Sequence, residues 1–585
     1  MEKIKECAKI LFDNDIKAKY LMLALACICS IFSYTNNVPI LAWACSGFFL
    51  AYVVYEEKSV RCFLAGFVLS LFHTISAMDA LEDYFTTWVI LYPFFVLPLV
   101  GASMLQKRLW ATRPHLFCVT FVFPTVYTAW WFIWVRIEII GFGSPAMHYA
   151  YLPILRQVVS LFGTESLVFF TSWLTSILVG FLYEKKIARL KQPQREHLLT
   201  FVCVWLFLQV YGGLQLGAGR GIWLQDVNKW PEVTKDGSVG KIKISCLTWN
   251  AYEGDDMKPE FKTSSLTDLE MVEPCLNEFG SKTAYNSSEI LHCKTRHRLL
   301  QGDDIVVWSE TALGDLDKYS WYESNMPKTP IPTLNNLGNI SKKSLVAATY
   351  HLPHDGDVKN IFNDGVKPFR NVVSLHQDDK LLAEYHKNIA VPIVEAYVEA
   401  SSDRPKAVNV EMPSGSFMKI AMAICFDFDF PTFIREAADA DLIIGPSWTW
   451  KSIGTIVHAD SVLRATENGV TIFKCSLMGM TGVIDPYGRT ISSIPTVHGD
   501  TSIVTAPVQK SRWTLYASGG GFIFGWIVCL FAVLYILLAV LPQKILQKIG
   551  ISPPNFDNLN DDKDDTNGIQ ITVAHTDTED NTGDS

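Results

Sequence analysis

Eight apolar runs of roughly membrane-crossing length decide what this chain can become. Seven, at about 20–35, 38–55, 60–78, 86–105, 116–135, 164–183 and 198–217, crowd into its first part, and the eighth lies at about 521–541. A helix needs about 20 apolar residues to cross the hydrocarbon core of a bilayer, so each run predicts a transmembrane helix. The first is not read as a cleavable signal, because a 19-residue polar start precedes it and further apolar runs follow directly. Residues from about 220 to 515 have the mixed composition of a globular domain. With 49% of 585 residues hydrophobic and only 19% charged, the chain is too oily for a soluble multidomain protein. It reads as a membrane-embedded protein carrying one soluble domain.

Orientation follows from Lys and Arg, which remain on the cytoplasmic side when they sit in short loops. With a cytoplasmic N-terminus, that side holds Lys3, Lys5, Lys9, Lys17, Lys19, Lys58, Arg61, Lys107, Arg108, Arg113, Lys185, Lys186, Arg189, Lys191 and Arg195. The opposite loops hold only Arg136 and Arg156. The expected organisation is a cytoplasmic segment 1–19, seven helices in 20–218, an exoplasmic domain 219–520, an eighth helix 521–541 and a cytoplasmic tail 542–585. Residues 552–585 carry nine acidic side chains and one Lys, the composition of a solvated, disordered tail.

The net charge of −9 leaves no basic footprint and argues against nucleic acid as a partner. Zinc, serine-elbow and nucleotide chemistry lack their motifs: HExxH, CxxC, GxSxG and GxxxxGK are all missing from the sequence. No metal and no cofactor is therefore expected. Thirteen cysteines over this length, several inside apolar runs, do not read as a disulfide framework. Cys275 and Cys293 flank a polar stretch and could pair, but spacing does not decide it. Sequons at Asn286 and Asn339 would be glycosylatable in a eukaryotic lumen. Gly521 and Gly525 form a GxxxG that permits close helix packing.

Between Lys241 and Val508 short apolar segments alternate with longer ones, which predicts a layered α/β domain. Strands are expected at Ile242–Leu247, Ile305–Trp308, Leu345–Ala348, Val372–Leu375, Lys419–Cys425, Leu442–Gly445, Thr471–Cys475, Gly482–Asp485 and Ser502–Ala506. Helices are expected at Thr267–Glu278, Pro431–Ala438 and His458–Asn468, with 253–303 a long insertion and 312–343 and 350–370 loops.

Two strand ends carry reactive side chains. Val306-Val307-Trp308-Ser309-Glu310 ends in a carboxylate and Ile420-Ala421-Met422-Ala423-Ile424-Cys425 in a thiol, followed by Phe426-Asp427. Tyr385-His386-Lys387 and Glu395 are expected in a loop between them. Singly each has a bland reading: a cap, a core Cys, a solvated Lys. Together they make a chemical set. An ammonium favours the thiolate, and a carboxylate can take the thiol proton and later activate an amine or water. His458 reads as structural.

The order Trp308-Ser309-Glu310, Tyr385-His386-Lys387, Ile424-Cys425-Phe426-Asp427 resembles the Glu–Lys–Cys set of the carbon–nitrogen hydrolase (nitrilase) superfamily. With seven helices before the domain and one after it, the arrangement looks like the apolipoprotein N-acyltransferase family. The similarity is strongest in Gly445-Pro446-Ser447-Trp448, Ser452-Ile453-Gly454, Leu463-Arg464-Ala465-Thr466-Glu467-Asn468-Gly469 and Gly482-Val483-Ile484-Asp485-Pro486-Tyr487-Gly488-Arg489.

The resemblance implies a nitrilase-like αββα sandwich attached to an eight-helix transmembrane bundle. Glu310 would be the general base, Lys387 the oxyanion stabiliser and Cys425 the nucleophile, supported by Glu395, Asp427, Asn371 and Trp448. Phe426-Asp427 stands where the family has an aromatic residue and Glu, one methylene longer. Val391-Pro392-Ile393-Val394-Glu395 departs from the bacterial Pro-Phe-Gly-Glu pattern.

The implied reaction is ping-pong. A phospholipid acyl donor forms a Cys425 thioester, and an amine acceptor, in the family a lipoprotein N-terminus, takes the acyl group. Trp130, Trp131, Trp134, Trp223, Trp448 and Trp450 could line the approach, with interfacial anchoring the blander role for those near helix ends. The rival reading is a membrane-tethered amidase or nitrilase-type hydrolase. The expected site is a multi-pass protein with its catalytic domain on the exoplasmic side, in a plasma or inner membrane, or in the endoplasmic reticulum of a eukaryote.

Overall fold

The computed structural model describes residues 15–34, 38–76, 85–113, 117–137, 144–186, 194–218, 239–249, 287–312, 343–353, 369–378, 380–392, 395, 398–449, 453–497 and 501–542. It divides into Met1–Tyr535 and Ile536–Ser585; the first unit holds the soluble domain and the helices, save the last turn of the final one. Thr267–Glu278, Asn286, Asn339, Cys275, Trp223, Trp450 and the acidic residues 552–585 lie outside the described residues.

Helices occupy all eight apolar runs: α1 Asp15–Tyr34, α2 Pro39–Tyr55, α3 Ser59–Ser76, α4 Phe85–Thr112, α5 Val122–Arg136, α6 Glu165–Lys186, α7 Gln194–Ala218 and, after the soluble domain, a last helix at Gly520–Val540. Where the sequence predicts eight crossings, five stretches among the described residues are long and apolar enough: Ile16–Ser33, Cys118–Arg136, Glu165–Leu182, Arg195–Ala218 and Gly520–Val540. The α2 and α3 stretches are apolar but shorter, and α4 contains Pro93 and Pro98, each of which removes a helical N–H donor. The last helix meets α5 closely. A Cβ on Gly525 would stand 1.7 Å from the Phe132 ring, so the second glycine of the GxxxG is what allows Ala129, Phe132, Val528, Cys529 and Ala532 to share one apolar cluster.

The soluble domain is two six-stranded sheets. The strands are β1 Val239–Leu247, β2 Ile305–Trp308, β3 Leu345–Pro353, β4 Phe369–Gln377, β5 Lys380–His386, β6 Val408–Glu411, β7 Phe417–Met422, β8 Leu442–Trp448, β9 Thr471–Leu477, β10 Met480–Ile484, β11 Thr490–Pro495 and β12 Thr501–Gln509. One sheet runs β12-β1-β2-β3-β4-β5, the other β11-β10-β9-β8-β7-β6. Each has a parallel centre, β1-β2-β3 and β7-β8-β9, flanked by antiparallel strands. Continuous apolar runs such as Ile305–Trp308 are what a strand buried on both faces requires.

All nine expected strands exist, and β5, β6 and β11 are additional. Their half-exposed patterns lack the apolar run that marks the central strands. A helix α8 at Ser287–Leu300, packed on β1 and β2, lies inside the stretch read as an insertion. Its near-neutral polarity hid it. The helix expected at His458–Asn468 is α9, Ile453–Asn468, which starts five residues earlier and covers the second sheet, and α10 is the last helix at Gly520–Val540.

Cys246 on β1 is disulfide-bonded to Cys475 on β9, a covalent tie between the sheets that the sequence did not suggest, since 229 residues separate the pair. Cys293 is also disulfide-bonded.

The domain is fastened to the helices by buried polar contacts. Between α5 and α6 the chain forms short turns at Pro145–Tyr149, Pro153–Arg156 and Val159–Phe162. Arg156 and Gln157 both donate to the Tyr487 carbonyl, at 3.0 and 2.9 Å. Thr164 N–H donates to Glu467 at 2.6 Å, and Arg464 donates to the Thr164 hydroxyl at 2.5 Å. Arg512 reaches Gln215 and Arg489 reaches the Leu216 carbonyl, both at 2.5 Å. Leu463–Gly469 and Asp485–Arg489, singled out in the sequence, are therefore the docking surfaces of the domain.

Candidate active site

Parallel strands deliver their side chains at their carboxyl ends, and sites in α/β folds form there. Here β2 ends at Trp308 and is followed by Ser309 and Glu310, while β8 ends at Trp448. After β7 stops at Met422, the chain turns sharply at Cys425, the first residue of a one-turn 3-10 helix Cys425–Asp429. Cys425 has φ of +44°, a left-handed conformation costly for a residue with a Cβ and concentrated at functional sites. The expected strand Lys419–Cys425 thus runs three residues past the observed end and starts two residues late. Lys387 follows directly on β5, so the loop expected around Tyr385 and His386 is in fact a strand end, and Lys387 N–H donates to the Asn371 carbonyl at 2.8 Å.

These ends converge. The Lys387 ammonium, fully buried, donates to Glu310 Oε1 at 2.7 Å and to Glu395 Oε1 at 2.6 Å. Asn371 Nδ2 donates to Glu310 Oε1 at 2.8 Å, and Trp448 N–H donates to Glu310 Oε2 at 2.7 Å. Both Glu310 oxygens are thereby oriented. The Cys425 thiol donates to the Trp448 carbonyl at 3.5 Å, which places the sulfur beside the same peptide that holds the carboxylate. Glu395 is steadied by Val391 N–H at 2.7 Å, although its segment departs from the bacterial pattern.

Asp427 works differently from its neighbours. It accepts from the Tyr385 hydroxyl at 2.7 Å, Ile424 N–H at 3.0 Å and Ile389 N–H at 3.1 Å, binding the Cys425 turn to the Lys387 segment. Glu310, Lys387, Cys425, Glu395, Asn371 and Trp448 thus share one hydrogen-bonded cluster, with Asp427 behind it.

Burial dominates the electrostatics. It raises the Cys425 thiol well above its ordinary value; Glu310 and Glu395 push the same way, while Lys387 and Lys474 pull it down. Burial thus outweighs the ammonium that was expected to favour the thiolate: the sulfur rests as a thiol, and its proton must leave during the reaction. Burial opposes charge on Lys387, but Glu310 and Glu395 outweigh it and hold the ammonium well above its usual value. Burial raises Glu395 and brings Asp427 up to about 7. Among the described residues no group of three metal-ligating side chains forms.

The comparisons bear on this architecture. Residues 294–517 match the carbon-nitrogen hydrolase family. Apolipoprotein N-acyltransferase of Rickettsia typhi is 25% identical over 223 residues, 35% of this chain and 42% of that protein. The enzyme of the same name from Vibrio vulnificus is 23% identical over 244 residues, 36% and 46%, and that from Pseudomonas aeruginosa 26% over 215 residues, 33% and 39%. Residues 294–517 thus carry similarity to carbon–nitrogen hydrolases, and the chain is similar to apolipoprotein N-acyltransferases. The matches span less than half the length of these relatives. Among solved structures, an amidase from Nesterenkonia sp. superposes with a TM-score of 0.32 at 15% identity, covering 50% of this chain and 96% of that one.

Several residues beside the cluster escaped the sequence reading. Lys474, on a strand buried along its whole length, and His351, which burial lowers to about 4 while Glu310 and Lys387 act on it, both stand near the cluster. The signal for Lys474 was legible: a lone ammonium in the otherwise uncharged strand Thr471–Leu477. His351 gave none, since it lies in what looked like a loop. His458, read as structural, bonds the Thr490 hydroxyl at 3.0 Å. Of the aromatics expected to line an approach, Trp131 is buried and stacked on Phe95, and Trp130 stacks on Trp134; neither contact involves the cluster.

Proposed function

We propose that this protein is an integral-membrane N-acyltransferase that moves a fatty acyl group from a phospholipid to an amine through a Cys425 thioester. The observation that carries this reading is the meeting of Glu310, Lys387 and Cys425 in one buried cluster of a domain fastened to apolar helices. A soluble amidase has no use for that fastening. Here α9, which begins five residues beyond the Trp448 that ends β8, is held to the helices through Arg464 and Glu467, so substrates confined to a bilayer would meet the site at its surface.

In the proposed reaction Cys425 Sγ attacks the ester carbonyl while Glu310 takes the thiol proton. The oxyanion faces the Lys387 ammonium, whose charge two carboxyl groups maintain. Collapse expels the lysophospholipid alkoxide, which recovers the proton from Glu310, and leaves the thioester. The acceptor amine attacks, passes a proton to Glu310, and the sulfur departs to be reprotonated. Asn371 and the Trp448 N–H keep the Glu310 oxygens aimed, and Asp427 keeps the Cys425 turn against the Lys387 segment. The acceptor is a lipoprotein N-terminus or another amine.

We further propose eight membrane crossings with segment 1–19 and the tail cytoplasmic and the domain 219–520 exoplasmic. The bias of Lys and Arg supports this, as do the Cys246–Cys475 disulfide and the disulfide at Cys293, bonds that persist in oxidising compartments.

The test uses full-length protein in phospholipid vesicles containing an alkyne-tagged phosphatidylethanolamine. The expected result is a hydroxylamine-sensitive adduct that is lost in Cys425→Ala and discharged onto a diacylated lipopeptide amine. Turnover of short soluble amides with no lipid adduct would establish the hydrolase instead.

A further inference from the structure

Lysine is out of place in a strand whose seven side chains are all buried, yet β9 carries one. Lys474 pairs with Gly445 on β8 and Gly482 on β10 and is 1% exposed. Its ammonium has no hydrogen-bond partner among the described residues. It rests on the face of Phe428, 4.0 Å from the ring centre. A buried, unpaired ammonium is strongly disfavoured, and a cation–π contact compensates only part of that. Such a group persists where something else needs its charge.

Two features show that the position is built. Phe428 belongs to the same one-turn helix that starts at Cys425, so the ring under the ammonium and the sulfur move as one unit. At Gly445 a Cβ would stand 2.7 Å from the Phe428 ring and 3.0 Å from Lys474 Cδ. The two side chains therefore meet only because residue 445 has none.

Once ionised, the sulfur of Cys425 would be the strongest charge acting on Lys474, ahead of Asp429, Glu310 and Asp427; Asp460 and His458 on α9 also face it. Cys425 itself is acted on by Glu310, Lys387, Lys474 and Glu395. Of the two ammonium groups, Lys387 is committed to two carboxyl groups at 2.7 and 2.6 Å, and a thiolate would be a third claim on it. Lys474 makes no such contact.

We propose that Lys474 is the counter-charge of the Cys425 sulfur, a positioning residue whose uncommitted ammonium stabilises the thiolate as the thiol proton leaves and again when the acyl group is released. The inference rests on the proposed thioester chemistry. In acylation the S–H bond breaks toward Glu310 as the S–C bond forms. In release the S–C bond breaks, the electron pair stays on sulfur, and Lys474 faces that charge until Glu310 returns the proton. Burial brings Lys474 down to about 8, so its help is present at neutral pH and fades as pH rises beyond that value.

The experiment alkylates full-length protein in phospholipid vesicles with iodoacetamide from pH 6 to 9.5 and reads the Cys425 peptide by mass spectrometry. Lys474→Met is expected to slow Cys425 alkylation about tenfold at pH 7, with the gap closing toward pH 9.5. Lys474→Arg is expected to stay within about threefold of the natural protein. The Cys246–Cys475 disulfide, read in the same digest, reports folding. Gly445→Ala keeps the lysine but displaces it, and should shift the profile in the same direction; it decides the matter should Lys474→Met fail to fold. Profiles of both variants within twofold of the natural protein at every pH would overturn the inference while leaving the thioester chemistry standing. Absence of any Cys425 labelling in the natural protein, under conditions that label the same cysteine once the protein is denatured, counts against the thioester chemistry itself and removes the inference with it.

Discussion

Replacing Lys387 by Met removes the one ammonium that Glu310 and Glu395 share. Their Oε1 atoms lie 2.7 and 2.6 Å from the same Nζ, so no more than about 5 Å separates them. At an effective dielectric near 20, two full negative charges at that distance repel by about 3 kcal/mol, and stranded buried charges commonly cost about 3–5 kcal/mol. A domain of this size should register that as a fall in melting temperature of roughly 10 °C. Relief comes from protonating Glu395, which burial, with Glu310 beside it, already raises above its ordinary value.

The loss should therefore be large at pH 8 and shrink toward pH 5. Adding Glu395→Gln should recover much of the stability at pH 8 without restoring acyl-adduct formation, because Glu310 still lacks its cation. The assay is thermal unfolding of detergent-solubilised single and double variants at both pH values, alongside adduct formation from tagged phospholipid. If the double variant is no more stable at pH 8 than Lys387→Met, the sharing argument is wrong. If it forms adduct at the natural rate, Lys387 has no part in the chemistry.

Three other outcomes follow from the same structure. Asp427, brought up to about 7 by burial, contributes stability that is full below about pH 4 and lost as pH rises to 7, by up to about 1.4 kcal/mol per unit; Asp427→Asn lacks this titration, so the advantage of the natural protein over it should be larger at pH 5 than at pH 8 in thermal unfolding, and an equal gap would refute the burial argument. Cys246→Ser removes a link closing a 229-residue loop, worth about 5 kcal/mol in the chain-entropy account, and should lower the unfolding temperature and expose Cys475 to alkylation; labelling of Cys475 in the natural protein without reductant would show that the bond is absent. Gly525→Leu places a side chain where the Phe132 ring already stands, and should lower detergent-extracted yield and melting temperature, whereas unchanged values would mean that α10 does not pack on α5.

Much of the site was legible because strands buried on both faces leave a plain record. Ile305–Trp308 and Ile420–Ile424 are apolar without a break, and the polar residues that follow them, Glu310 and Cys425, stand out for that reason. Lys387 was identified but set in a loop, since β5 has one face half in water and its Lys380-Leu381-Leu382-Ala383-Glu384-Tyr385-His386 mixes the two classes of side chain. The charged residues of Leu463–Gly469 and Asp485–Arg489 were noticed as pattern; that Arg464, Glu467 and Arg489 fasten the domain to helices some 270 to 300 residues away has no local signature.

From the order of its residues alone, this chain determined where its long apolar helices run and which strands are central, because hydrophobic run length and period are local properties governed by bilayer thickness and by burial of a sheet on two faces. It also carried the candidate nucleophile, base and ammonium. Tertiary structure alone decided that one ammonium serves two carboxyl groups, that the resting sulfur keeps its proton, that Cys246 meets Cys475, and that Lys474 stands free over Phe428. Each of these depends on distance and dielectric between groups far apart in the chain, and neither quantity exists until the sheets have closed on one another.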